Sequence, residues 1–219
     1  MINKKYLNSA LIQKKIIEFY NKKTIWYLVF ENFLDSKVYD EALKEFNKNN
    51  YSVISIDNSS TEWRANKTIF IKWKVFKKIN DFFVSKSFEN FLWLFFKSKL
   101  EREFYLKEKL LVNYNNWLIA QMYEKWDYYK WHIDWLKNNI SLWSFIYYFK
   151  WYFNLKDNLW WELELWKWNW WNLETYKIIK PKSNSLIILL YSDISFHRVK
   201  EIISNNFKRI SIQATLKKI

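Results

Sequence analysis

The sequence predicts a mainly β fold with helices at its N-terminal end. Residues 1–110 read as one strand with support helices, and residues 111–219 as a jelly roll (double-stranded β-helix) of eight short strands. Three observations carry this. Apolar residues recur at helical spacing in the first half; after about residue 110 they fall into short runs separated by polar turns; and no Pro- or Ser-rich linker or repeat divides the halves. The 219 residues, 50% hydrophobic and 26% charged, suffice for one domain with a substantial core.

Taken in order, Leu7, Leu11, Ile12, Ile16 and Phe19 make residues 4–20 an amphipathic helix. The run from Ile25 to Phe30 is a strand. Asp35 or Ser36 caps a helix over Val38–Phe46, with Tyr39, Leu43 and Phe46 on one side. A second helical region covers about 68–100. The expected strands of the jelly roll are Leu118–Tyr123, Tyr128–Ile133, Ser141–Tyr152, Glu162–Trp166, Thr175–Ile179, Leu186–Tyr191, Ser195–Ile202 and Arg209–Thr215.

Composition narrows the chemistry. With no Cys, disulfides, thiolate metal sites and cysteine nucleophiles are excluded, so any metal must sit on His, Asp or Glu. No run approaches the roughly 18 apolar residues of a spanning helix, and the N-terminus lacks a signal-peptide pattern, so a cytoplasmic protein without membrane contact is expected. The formal charge of +14 comes almost wholly from Lys scattered along the chain, which reads as a solvated surface more than a nucleic-acid face.

The chain has no Gly and 16 Trp. At ordinary usage the chance of no Gly is on the order of 10⁻⁷. Many Trp, such as Trp126, Trp131, Trp135, Trp160, Trp161, Trp168, Trp170 and Trp171, fall between or at the ends of predicted strands, where turns favour Gly. UGA is read as Gly in some bacterial lineages and as Trp in other codes. UGA-encoded Gly written as Trp accounts for both anomalies.

Only two His occur, and both fall in strands. In His132-Ile133-Asp134 the polar side chains are two apart and share a strand face. His197 can join them if the strands fold back on each other. Two His and one carboxylate form the facial triad of non-haem Fe(II) oxygenases; a zinc hydrolase is disfavoured because no HExxH helix is present. Arg209, one of four Arg, shares a strand face with Ser211, and its guanidinium suits a carboxylate.

The segments YEKWDYYKWHID, SFIYYF, WWELEL, IIKPKSNSLIIL, SFHRVKEI and KRISI, together with the opening VFENFLDSKVYDEALKEF, resemble the 2-oxoglutarate and Fe(II)-dependent oxygenases, specifically the prolyl 4-hydroxylase-like group. That family has Gly where this chain has Trp126, Trp131, Trp160 and Trp161. The resemblance implies iron held by His132, Asp134 and His197, with Arg209 on the distal carboxylate of 2-oxoglutarate. Ser211 would add a hydroxyl donor, and Tyr123 and Tyr148 would contact the cosubstrate; a one-residue shift of register would exchange Tyr147 for Tyr148. It further implies O₂ as co-reactant, ascorbate as an accessory cofactor and a protein or peptide substrate hydroxylated at a C–H bond, most directly a peptidyl proline. The competing expectation is a non-catalytic, basic and aromatic nucleic-acid-binding module.

Overall fold

The computed structural model describes residues 1–22, 25–48, 52–58, 64–70, 74–103, 119–132, 141–152, 162–169, 171–180, 182–190, 195–203 and 208–217. A 3₁₀ turn over Lys4–Leu7 precedes α1 (Ser9–Tyr20), followed by β1 (Tyr27–Glu31) and α2 (Ser36–Lys48). A hairpin of β2 (Ser52–Asn58) and β3 (Arg64–Phe70) leads to α3 (Lys74–Phe83) and α4 (Lys86–Glu103). The rest is β: β4 (Ile119–Tyr123), β5 (Tyr128–His132), β6 (Ser141–Tyr152), β7 (Leu163–Asn169), β8 (Asn172–Ile179), β9 (Ser185–Leu190), β10 (Ser195–Val199) and β11 (Lys208–Lys217).

Local chemistry sets the helix starts. Asn8 is extended, and its side chain accepts a hydrogen bond from the Leu11 amide, so the helix expected from residue 4 begins instead at Ser9. Asp35 accepts from the Lys37 amide at 3.0 Å and caps α2. The α3 N-terminus is capped from another helix: the Glu45 carboxylate of α2 accepts from the Lys74 and Val75 amides at 2.9 and 2.8 Å. The helical region expected over 68–100 starts within β3, because Ile69 lies on the core face of a strand and the helical pattern takes over only at Lys74.

The strands follow the hydrogen-bonded path β1-β9-β6-β11-β4-β3-β5-β10-β7-β8, with β2 on β3. All eight strands expected after residue 110 are present, and antiparallel pairing of β9, β6, β11 and β4 opposite β5, β10, β7 and β8 gives the jelly roll. Side-chain alternation divides the core. One face of the first group carries Ile210, Ile212, Met122, Ala120, Tyr147 and Phe149, which pack with the Phe-rich faces of α3 and α4. The opposite face carries Ile146 and Tyr148, which pack with Leu163, Leu165 and Ile179 of the second group. Tyr148 lies in this cluster, and His197 is the strand partner of its Leu165.

The β4–β5 turn bears on the Trp anomaly. The Asp127 amide donates to the Glu124 carbonyl at 3.0 Å, closing a four-residue turn with Trp126 in its third position at φ 71°. That position calls for Gly or Asn, and the other positive-φ residues among those described are Asn32 and Asn184. Trp126 is 58% exposed, and Trp171, at the β7–β8 turn, is 89% exposed, so neither indole is used as core. Trp160 and Trp161 lie outside the described residues, as does the side chain of Trp131. Trp126→Gly is expected to stabilise the fold by about 1 kcal/mol, the left-handed cost for a residue with a Cβ, readable as a raised urea midpoint. We propose that the source gene carries UGA at 126, 131, 160 and 161. UGG at 160 and 161 would contradict this.

Candidate active site

His132 and His197 are direct partners across β5 and β10, with ring centroids 4.3 Å apart. The pairing is irregular: the three-residue step on β5 from Tyr129 to His132 spans the two-residue step on β10 from Val199 to His197. This bulge turns Tyr129 onto the face of His132, where the rings stack at 3.6 Å. It also brings His132 Nδ1 to 2.8 Å from the Lys130 carbonyl. A carbonyl only accepts, so Nδ1 carries the proton and Nε2 the lone pair that a metal would take. His197 is buried beside Leu165, its partner on β7. Asp134, expected as the third ligand, lies outside the described residues; among those described, no three His, Asp or Glu side chains are arranged to hold a metal ion.

On β11, Arg209 is fully buried, and among the described residues its Nε, Nη1 and Nη2 have no hydrogen-bond partner. The guanidinium lies 4.3 Å from the ring of Tyr123 and 5.2 Å from that of Tyr148. Tyr123 is its partner on β4, and Ser211, two residues on, is the partner of Tyr148 on β6, so the four expected cosubstrate residues share one face. The Tyr148 hydroxyl is also buried without a partner. Tyr147 points the other way and donates to the Asn184 side chain at 3.0 Å, which fixes the register left open by the sequence. Two neighbours escaped sequence reasoning: Gln121 accepts from the Tyr123 hydroxyl at 2.9 Å, and Gln213 donates to Ser211 Oγ at 3.2 Å. Their positions two residues from Tyr123 and Ser211 are the only signal the sequence offered. Arg198 and Lys208 are engaged elsewhere, with Glu164 and Glu124.

A buried cation over two aromatic faces retains some compensation, but three unpaired nitrogens at zero exposure are a demand for an anion. The fork would satisfy a carboxylate through two parallel hydrogen bonds, and the Tyr148 hydroxyl stands ready as a further donor. Burial pushes that hydroxyl up to about 12; Arg209 pulls it down and Tyr123 adds to the rise. Tyr147 is also raised well above its ordinary value, by burial first and then by Tyr39. Between pH 10 and 12 the unfolded chain therefore holds fewer protons than the folded one, and stability should fall as pH rises. The loss from Tyr148 should be roughly 2 kcal/mol, and urea midpoints between pH 9 and 12 should fall less steeply for Tyr148→Phe. Parallel slopes for the two proteins would refute the assignment.

No protein-family model matches the sequence, and no curated protein matches it. Solved structures do. A Pseudomonas putida prolyl-4-hydroxylase matches with a TM-score of 0.60 at 10% identity, over 95% of this chain and 99% of that one. A Trichoplax adhaerens prolyl hydroxylase, solved with a peptide fragment of the hypoxia inducible factor oxygen degradation domain, matches with a TM-score of 0.62 at 16% identity, over 95% and 89%. A 2-oxoglutarate/Fe(II) oxygenase family oxidoreductase from Burkholderia pseudomallei gives 0.58 at 9% identity, over 96% and 92%. With a facing pair of imidazoles and an unpaired guanidinium inside its jelly roll, the chain has the fold of the prolyl hydroxylases and 2-oxoglutarate/Fe(II) oxygenases along nearly its whole length.

Proposed function

We propose that this chain is an Fe(II)- and 2-oxoglutarate-dependent dioxygenase that hydroxylates a C–H bond in a peptide or protein, a peptidyl proline first among the candidates. The observation that carries it is Arg209, buried with its three nitrogens unpaired among the described residues, on the same face as Tyr148, which packs in one cluster with Leu165, the β7 partner of His197. The residues fit both groups: imidazole lone pairs suit Fe(II), and a buried guanidinium beside the buried Tyr148 hydroxyl suits a carboxylate. His132 and His197, with Asp134, would hold the iron; Arg209, Ser211, Tyr123 and Tyr148 would hold the cosubstrate. When bound, iron and 2-oxoglutarate supply O₂-dependent C–H hydroxylation, with succinate and CO₂ released.

What the chain contributes is position and dryness. The Lys130 carbonyl fixes the His132 tautomer, the Tyr123 and Tyr148 rings lie against the Arg209 guanidinium, and burial keeps the Tyr148 hydroxyl protonated as a donor. Residues 1–110 would act as the support layer and 111–219 as the catalytic core of one domain. The peptide bound to the Trichoplax adhaerens neighbour supports a peptide substrate, and the fold likeness supports O₂ as co-reactant. Ascorbate would serve as an accessory reductant. Among the described residues no helix is long and apolar enough to cross a membrane, in keeping with the cytoplasmic location we propose.

The test uses the full chain, with 126, 131, 160 and 161 as the gene's codons and the cell's code specify. Slow succinate formation from 2-oxoglutarate, requiring both Fe(II) and O₂ and proceeding without added substrate, is the expected result. No succinate under these conditions, together with tight polyanion binding, would replace the enzyme with the nucleic-acid-binding module.

A further inference from the structure

A second cluster of charge sits on the outer face of β7 and β10, behind the His pair. Glu164 is only 2% exposed, yet its carboxylate accepts from three donors. These are Arg198 Nε, Lys200 Nζ at 2.8 Å and Trp166 Nε1 at 3.0 Å. Lys200 also reaches Glu162 at 3.1 Å, and the Arg198 guanidinium lies over the Trp166 ring at 4.9 Å. Two of the donors are the residues one and three past His197, and Glu164 and Arg198 are direct partners in the register that sets His197 against Leu165.

We propose that Glu164 is a positioning residue that locks the register of β10 and thereby holds His197 opposite His132. The strand needs such a lock. It has five residues, and its pairing with β5 is interrupted by the bulge. A slip of one residue would turn Phe196 or Arg198 inward in place of His197. With Arg198 inward, a guanidinium would enter the apolar cluster around Leu163 and Leu165 and leave Glu164 buried without its nearest cation. The ion pair therefore opposes the slip from both sides.

The metal consequence rests on the proposed iron site; the register itself does not, and the two are tested separately. The chain has no Cys, so a pair introduced at Lys167 and Ser195, partners across β7 and β10, can form one disulfide whose yield reads the register. Glu164→Leu is expected to lower that yield several-fold, to weaken Co(II) binding by about 10- to 100-fold, and to alter the ligand-field spectrum of the Co(II)-saturated protein. Glu164→Gln, which keeps the shape and loses the charge, is used where the Leu variant does not fold. Glu162→Gln, on the same face but without Arg198, should leave yield and spectrum unchanged. An unchanged disulfide yield in the folded Glu164 variants overturns the proposal, as do unchanged Co(II) affinity and spectrum where the wild type binds Co(II) more tightly than His132→Ala. Wild-type protein that binds Co(II) no better than His132→Ala would count against the iron site alone, since the disulfide still reads the register.

Discussion

Alanine at His132 or His197 is expected to abolish Fe(II)-dependent turnover of 2-oxoglutarate while leaving the fold intact. Each imidazole is one of the two nitrogen donors that face each other across β5 and β10. Loss of a group that merely orients a metal ligand costs about 10- to 100-fold in affinity, and loss of the ligand itself should exceed that. Asp134→Ala should have the same outcome under the proposed ligand set. Calorimetric Co(II) binding and succinate formation check these variants, with circular dichroism confirming the fold. Retained turnover in His132→Ala would remove that residue from the site.

Arg209 should show two effects of opposite sign. Its guanidinium is buried with no hydrogen-bond partner among the described residues, so Arg209→Met, which keeps much of the volume, is expected to leave the fold as stable or to stabilise it by about 1 to 3 kcal/mol when no 2-oxoglutarate is added. The same change should weaken 2-oxoglutarate binding by about 10- to 150-fold, the worth of a bidentate charge-assisted contact. Arg209→Lys should restore only part of the affinity, because an ammonium lacks the planar fork. Thermal denaturation gives both signs at once. The wild type should gain roughly 2.7 kcal/mol at a hundredfold excess of 2-oxoglutarate over its Kd, and the Met variant only about 0.3 to 1.4 kcal/mol at the same concentration. A Met variant that is destabilised without ligand and still stabilised with it would make Arg209 structural.

The eight jelly-roll strands were legible because each is a short run between polar turns. The grouping of His132 with His197, and of Arg209 with Tyr123, Tyr148 and Ser211, was legible because their residue types and spacing resemble those of a known family. The β2–β3 hairpin was missed because the apolar run at Ile69 and Phe70 continues almost without a break into α3. The stack of Tyr129 on His132 could not be read, since strict alternation places residues three apart on opposite faces and only the bulge reverses this. Glu164 with Arg198 and Lys200 was hidden for another reason. The sequence shows like-charged residues two apart on separate strands, and only the pairing of β7 with β10 brings them together.

Under the proposed function, 2-oxoglutarate would be held at both ends, its keto acid by iron on His132, Asp134 and His197 and its far carboxylate by Arg209. Anaerobic calorimetry of the Fe(II)-loaded protein with 2-oxoglutarate, with glutarate, which lacks the keto group, and with 2-oxobutyrate, which lacks the far carboxylate, tests it most directly. Two-ended binding predicts that each truncated compound binds at least tenfold more weakly than 2-oxoglutarate, and that Arg209→Met erases the advantage over 2-oxobutyrate alone. Equal affinities for all three in the wild-type protein would contradict it.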